Sequence, residues 1–405
     1  MNRRSAYYGL AVVTVLNFLN YIDRYILAAV LPRMQSELGL TNTQAGLLAT
    51  AFLLAYFVTS PVFGVLGDRL SRTRLMAAGV SAWSLATAAT GLMRSFGQLM
   101  IARSFVGIGE AAYATISPAL LSDYFPRAQR GRAFAVFYVA IPVGAAVGYL
   151  LGGLIEPALG WRAAFYVVGL PGVVMALLAL TVPDPPRGSA EDTVSSSPES
   201  IGATLMGFSR NFAYSGTVLG YAAYTFALGG LAYWMPGYLE QVRGVELARA
   251  NYVVGTATVL AGLGGTFVGG YAGDFLAGRI KHGQLWLCAI SSFAGIVPTW
   301  YALTESAAPA YIMWFFIAEF LLFLSTSPVN VVIVNSVPVG ARAMAMAVSI
   351  FVIHLLGDAI SPPIIGALAD ASSLARAVLV VPAAVALSGI IWIVTAVVTA
   401  DRPSF

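Results

Sequence analysis

The chain has 405 residues, of which 59% are hydrophobic and only 10% charged. An average soluble domain carries about 25% charged residues, so this chain lacks the charge to cover a water-facing surface and reads as an all-α integral membrane protein of many helices. A formal net charge of +4 is no nucleic-acid footprint here, because in a membrane protein the placement of the bases carries the information.

The first residues, Met1-Asn2-Arg3-Arg4, look like the basic start of a signal peptide. The apolar run behind them reaches from Tyr7 to Leu31, too long for a signal core of about 7–15 residues, and no small-residue cleavage site follows. It reads as a first, uncleaved span. Further runs of bilayer length cover 43–67, 75–93, 97–121, 133–156 and 163–182. Residues 183–210, with Pro183, Pro185, Pro186 and the run Ser195-Ser196-Ser197-Pro198, lack apolar periodicity and read as a linker. Six more runs follow at 211–239, 250–273, 284–304, 309–335, 341–368 and 375–399. The expected organisation is a six-helix half over 1–182, a cytoplasmic linker over 183–210 and a second six-helix half over 211–405.

The first span holds an irregularity, Asn17-Phe18-Leu19-Asn20-Tyr21-Ile22-Asp23-Arg24-Tyr25, with an acid and a base side by side at membrane depth. One such charge costs a few kcal/mol even on translocon scales, roughly 2.5–3.5. The second span closes on Gly64-Val65-Leu66-Gly67-Asp68-Arg69, followed by Arg72 and Arg74. This loop resembles the signature of the major facilitator superfamily, in which it latches one side closed. The residue types are compatible with that role: the glycines let helices approach, and the arginines can pair with Asp123 at the end of span four. Gly64, Gly67, Asp68, Arg69, Arg72 and Asp123 are therefore read as a gating motif, with no information about cargo.

Span four places Arg103 and Glu110 seven residues apart, on one face and about two turns from each other. In the major facilitator arrangement spans one and four are neighbours, so Asp23, Arg24, Arg103 and Glu110 would form a cluster of two acids and two bases. Two readings are open. The cluster is a static salt-bridge network, or Asp23 and Glu110 exchange protons while Arg24 and Arg103 serve as their partners and as forks for a phosphate or carboxylate headgroup. A place on a water-filled cavity favours the second.

The second half repeats the first. Gly270-Tyr271-Ala272-Gly273-Asp274 closes the eighth span at a constant offset of 206 residues from Gly64–Asp68, as in transporters built from parallel repeats. Glu319 lies in span ten, and His354 and Asp358 lie four apart on one face of span eleven. All three are candidates for the charge network and headgroup contacts; a hydrogen-bonded structural pair is the other reading of His354 and Asp358. No further His or Cys completes a metal set around them, so no metal and no cofactor are expected. Cys288, the single cysteine, can form no internal disulfide. Most of the bases, among them Arg3, Arg4, Arg69, Arg72, Arg130, Arg187 and Arg279, fall in the termini and even-numbered loops. The positive-inside rule then puts both termini and the linker in the cytoplasm, and the chain is expected in the cell's inner (plasma) membrane.

Longer stretches carry a closer resemblance. Asn20-Tyr21-Ile22-Asp23-Arg24, Gly107-Ile108-Gly109-Glu110-Ala111-Ala112-Tyr113, Tyr138-Val139-Ala140-Ile141-Pro142-Val143-Gly144, Tyr233-Trp234-Met235-Pro236 and His354-Leu355-Leu356-Gly357-Asp358 look like the spinster family of lipid transporters. The resemblance spans nearly the whole chain. It implies a monomeric, secondary active, proton-coupled transporter that moves an amphipathic lipid, such as a lysophospholipid or sphingoid phosphate, between its two halves. A proton-driven exporter of drugs or organic anions on the same scaffold is the alternative. No nucleophile–base pair of adequate strength is present, so the chain is not expected to be an enzyme.

Overall fold

The structure, a computed structural model, describes residues 3–187, 189, 201–338 and 341–400. Among these residues all regular structure is helical. The first six helices are α1 (Arg3–Leu38), α2 (Asn42–Arg69), α3 (Arg72–Thr90), α4 (Phe96–Tyr124), α5 (Arg127–Leu159) and α6 (Trp161–Ala179). After α7 (Ile201–Arg210) come α8 (Phe212–Gln241), α9 (Leu247–Ala277) and α10 (Gly283–Thr304). The last three spans are broken. The first joins α11 (Ala308–Phe323) to α12 (Thr326–Asn335), and the second joins α13 (Arg342–Ile353) through a π-helical turn, His354–Asp358, to α14 (Ser361–Ala371). The third is α15 (Leu374–Ala377) with α16 (Val380–Val398).

Helix covers all twelve stretches read from the sequence. Ten of these helical segments are long and apolar enough to cross a membrane by length and composition. The other two are α3, which opens on Arg72-Thr73-Arg74, and α8, whose apolar character is diluted by Tyr214, Tyr221, Tyr224, Tyr233 and Tyr238. Short capped turns set the antiparallel neighbours. Thr41 accepts from the Gln44 backbone N–H while the Gln44 side chain accepts from the Thr41 N–H, a capping box that starts α2.

The helices fall into two compact units. The first takes α1 to α6 together with Leu239–Gly255, the end of α8 and the start of α9; the second holds the rest of α8 and α9 and everything from α10 onward. Within the first unit, Leu239–Gly255 covers the ends of α1 and α5. Asn251 Nδ2 donates to the Ala29 carbonyl at 2.9 Å. Arg33 bridges Glu156 at 3.1 Å and Glu240 at 2.7 Å.

The stretch expected as linker is ordered at both described ends. The Tyr124 hydroxyl donates to the Pro183 carbonyl, and Arg187 Nη2 donates to the Gly67 and Leu70 carbonyls at 2.6 and 2.7 Å. Its far end is the ten-residue α7, where the sequence suggested no periodic element. Phe208 anchors it: the side chain is buried, and its ring lies 4.8 Å from that of Tyr214 on α8.

In the first unit α5 lies directly on the polar part of α1. A Cβ added at Gly148 would sit 2.8 Å from the Ile22 carbonyl oxygen, so the helices approach at backbone distance. Gly148→Leu is expected to push α5 off α1 and lower stability by about 1–3 kcal/mol, the usual cost of overpacking. Thermal unfolding in detergent checks this; an unchanged midpoint would mean that the contact is not tight.

Candidate functional site

The candidate site in the first unit sits at mid-span. Glu110 is the middle residue of the 29-residue α4, and its side chain is fully buried. Arg24 Nε donates to Glu110 Oε2 at 2.7 Å. The Arg24 guanidinium also lies 5.0–5.3 Å from the ring centres of Phe52, Tyr21 and Tyr56. Cation–π contacts of this kind partly replace lost hydration.

Asp23, although adjacent to Arg24 in sequence, turns the other way. Successive residues on a helix are not on one face, so Arg24 reaches α4 while Asp23, 2% exposed, accepts from Thr87 Oγ1 of α3 at 2.5 Å. Arg103, also 2% exposed, lies 4.9 Å from the Phe52 ring centre, so one aromatic ring carries both guanidinium groups. Its Nε and Nη1 find no hydrogen-bond partner among the described residues, and neither does Asp23 Oδ1 or Glu110 Oε1. Buried donors left unpaired are rare in native proteins. Two guanidinium nitrogens and two carboxylate oxygens of the cluster are thus buried without a hydrogen-bond partner among the described residues.

The structure thus brings Asp23, Arg24, Arg103 and Glu110 into one locality, with one ion pair where the sequence suggested two. Thr87, Phe52 and Tyr56 were not foreseen. Threonine and aromatic residues in an apolar run carry no signal of their own. Phe52 is held in place because Gly107 of α4 meets its backbone: a Cβ there would lie 2.2 Å from the Phe52 carbonyl oxygen.

The signature loop is organised by Arg72. This buried residue donates from Nη1 to Asp123 Oδ2 at 2.5 Å, from Nε to Asp184 Oδ1 at 2.8 Å and from Nη2 to the Pro185 carbonyl at 2.6 Å. Its backbone N–H meets the second Asp184 oxygen at 2.9 Å. Gly64 and Gly67 face Thr115 and Ile116 of α4. Asp68 and Arg69 are exposed, with no ion pair among the described residues. Asp184, the second carboxylate on Arg72, gives no signal in the sequence because it lies in a proline-rich stretch that reads as linker.

In the second unit His354 Nδ1 lies 2.9 Å from both carboxylate oxygens of Asp358. The pair occupies the π-helical turn, where the Ala359 N–H reaches five residues back to the His354 carbonyl at 3.0 Å. Such turns recur at functional sites. Glu319, a further charge-network candidate from sequence, is buried, with no hydrogen bond or ion pair among the described residues.

Comparison with known proteins agrees with this geometry. The family model described as Major Facilitator Superfamily matches residues 13–357. Protein spinster homolog 3 of Danio rerio is 33% identical over 395 residues, covering 92% of this chain and 78% of that protein. The sphingosine-1-phosphate transporter SPNS2 of Xenopus tropicalis is 32% identical over 425 residues, covering 97% and 82%. Among solved structures, a bacterial homologue of the human lysosomal transporter Spinster in an inward-facing, unoccupied conformation superposes with a TM-score of 0.84. It is 21% identical and covers 98% of this chain and 96% of that one. The stretches that carry the polar site, Asn20–Arg24 and Gly107–Tyr113, lie inside the matched region. The chain is therefore a multi-pass membrane protein that belongs to the major facilitator superfamily and, within it, to the spinster proteins.

Proposed function

We propose that this protein is a secondary active, proton-coupled transporter of an anionic amphipathic lipid, of the lysophospholipid or sphingoid-phosphate kind. The observation that carries the reading is the Arg24–Glu110 pair at mid-span beside the unpaired N–H groups of Arg103. A buried ion pair contributes little net stability compared with apolar packing, so its presence at maximal desolvation cost points to use. The name of the Xenopus relative supports a lipid phosphate as cargo class.

The steps follow from the geometry. A proton passes from water to the Glu110 carboxylate, which becomes a neutral acid. The Arg24–Glu110 hydrogen bond loses its charge assistance, and Arg24 keeps its aromatic support on Phe52, Tyr21 and Tyr56. Arg24 and Arg103 then present their N–H forks to the cargo phosphate. When the cargo leaves, Glu110 gives up its proton and Arg24 returns. Among the described residues Asp23 has a single donor, Thr87, and it serves as the second proton acceptor. Alternating access by the chain couples the two events.

Proteoliposomes preloaded with fluorescent lysophospholipid or sphingoid phosphate provide the test. A transmembrane pH gradient is expected to drive cargo movement, and Arg103→Ala is expected to reduce it at least tenfold. Movement of hydrophobic cations or simple organic anions with no lipid movement would instead establish the drug or organic-anion exporter. Lipid movement that ignores the pH gradient would remove the proton coupling.

A further inference from the structure

The repeat that relates the two halves has a consequence at mid-span. The offset that carries Gly64–Asp68 onto Gly270–Asp274 brings Glu110 within one helical turn of Glu319 on α11, and pairs Asp23 and Arg24 with Gly229 and Gly230 on α8. The second half therefore keeps the acid of the fourth span and lacks the arginine that answers it. Gly229 is closed to a side chain, since a Cβ there would lie 2.5 Å from Asp358 Cβ, and one on Gly230 would have to displace the tip of Ile365, 2.6 Å away.

Glu319 is 4% exposed and lies near the middle of the span Ala308–Asn335. It shares the buried face of α11 with Tyr311, Phe315, Ala318 and Leu322. Among the described residues, the neighbouring elements supply no counter-charge. On α10, Cys288 and Ser291 are turned to Ser325. On α9, Gly265 and Gly269 meet the backbone of α11 and its end, and the titratable Tyr271 and Asp274 lie beyond them toward its C-terminus. On α8, the titratable Tyr224 places its hydroxyl 3.1 Å from Thr326 Oγ1. The π-helical His354 pairs with Asp358 at 2.9 Å. α12 carries no titratable residue.

A carboxylate in this position has no cation against it, and an uncompensated charge at membrane depth is expensive. Two cations could answer it: an ammonium carried by cargo, or a proton. The neighbours Phe315, Ala318 and Leu322 on the same buried face offer an ammonium no further hydrogen-bond acceptor, and a proton needs none. We propose that Glu319 is a second proton-exchanging site, built into the second unit and independent of the Arg24–Glu110 pair. It holds its proton as a neutral acid in the conformation described and releases it when water reaches α11. This rests on the reading of the chain as proton-coupled, but not on the identity of the cargo.

Infrared difference spectra between mildly acidic and mildly alkaline buffer read protonated buried acids directly, through a carbonyl band above the amide region. The full chain in lipid nanodiscs, with ¹³C-carboxyl-labelled glutamate, separates glutamate bands from aspartate bands. In Glu110→Gln one isotope-shifted band is expected to persist and to vanish as pH rises; in the Glu110→Gln/Glu319→Gln double variant it is expected to be absent. Labelled Glu110→Gln is decisive even if the double variant does not fold. No titrating band in Glu110→Gln, a band unchanged at every pH, or a band that survives the double variant would each overturn the proposal. The companion variant Asp23→Asn/Glu110→Gln separates the two readings. If its spectrum equals that of the parent, the proton site of the first unit fails and Glu319 stands.

Discussion

Glu110→Gln is expected to remove the largest acid-driven step from the pH dependence of conformational exchange while the protein still folds. Glutamine keeps the shape of a protonated glutamic acid and cannot ionise. At this position the variant should therefore behave at every pH as the parent does once Glu110 is protonated, with Arg24 released from it. The parent changes as pH falls and Glu110 takes up its proton, whereas the variant has no such step. Fluorescence or spin-label distances measured across pH would show it. If the variant still responded to pH as the parent does, Glu110 would not be the switch.

The same variant has a stability signature. Removing one partner of a buried ion pair leaves the other charge uncompensated and costs about 3–5 kcal/mol, here the Arg24 guanidinium, 19% exposed. Adding Arg24→Met removes the orphaned cation, and most of the loss should be recovered. A double variant no more stable than Glu110→Gln alone would show that the two residues are not energetically coupled.

Arg72→Ala is expected to have the larger structural effect. The residue closes α3, α4 and residues 184–185 around one side chain, with two carboxylates and a carbonyl on its three nitrogens. Its removal takes the guanidinium away from Asp123 and Asp184, which are 10% and 23% exposed in their side chains, and about 3–5 kcal/mol of stability should be lost. Lysine should not rescue it, because a single ammonium cannot reproduce a fork that holds three acceptors. Asp68→Asn, on an exposed residue of the same loop, should shift stability by less than about 0.5 kcal/mol. Thermal unfolding of the three variants in one detergent decides the matter; equal losses for Arg72→Ala and Asp68→Asn would mean that Arg72 does not organise the loop.

The spans were legible because bilayer thickness forces long apolar runs, and the loop between spans two and three because its glycines and arginines recur in the second half. The pairing of Arg72 with Asp123 could be read for the same reason. The facing of spans one and four came from the superfamily resemblance; periodicity does not reveal which helices touch. That Asp23 would leave Arg24 for Thr87 was not legible, since a threonine on α3 looks like any weakly polar helix residue. His354 and Asp358 share a face by spacing alone, yet the π-helical turn that holds them gives no pattern in sequence. Arg33, Glu156 and Glu240 do not stand out as a bridge, because charged residues near helix ends are ordinary at a membrane boundary.

The excursion of Leu239–Gly255 into the first unit bears on how the protein is made. Translation delivers α1 to α6 long before it delivers Glu240 and Asn251, which supply Arg33 and Ala29 with their partners. The amino-terminal helices therefore emerge from the ribosome as an unfinished piece and wait, at about 5–20 residues per second, until the start of α9 has been inserted. A polypeptide severed in the linker would inherit that incompleteness permanently. Its amino-terminal fragment would lack the Glu240 carboxylate on Arg33 and the Asn251 amide on Ala29, so the compact unit does not share its boundary with the six-helix repeat.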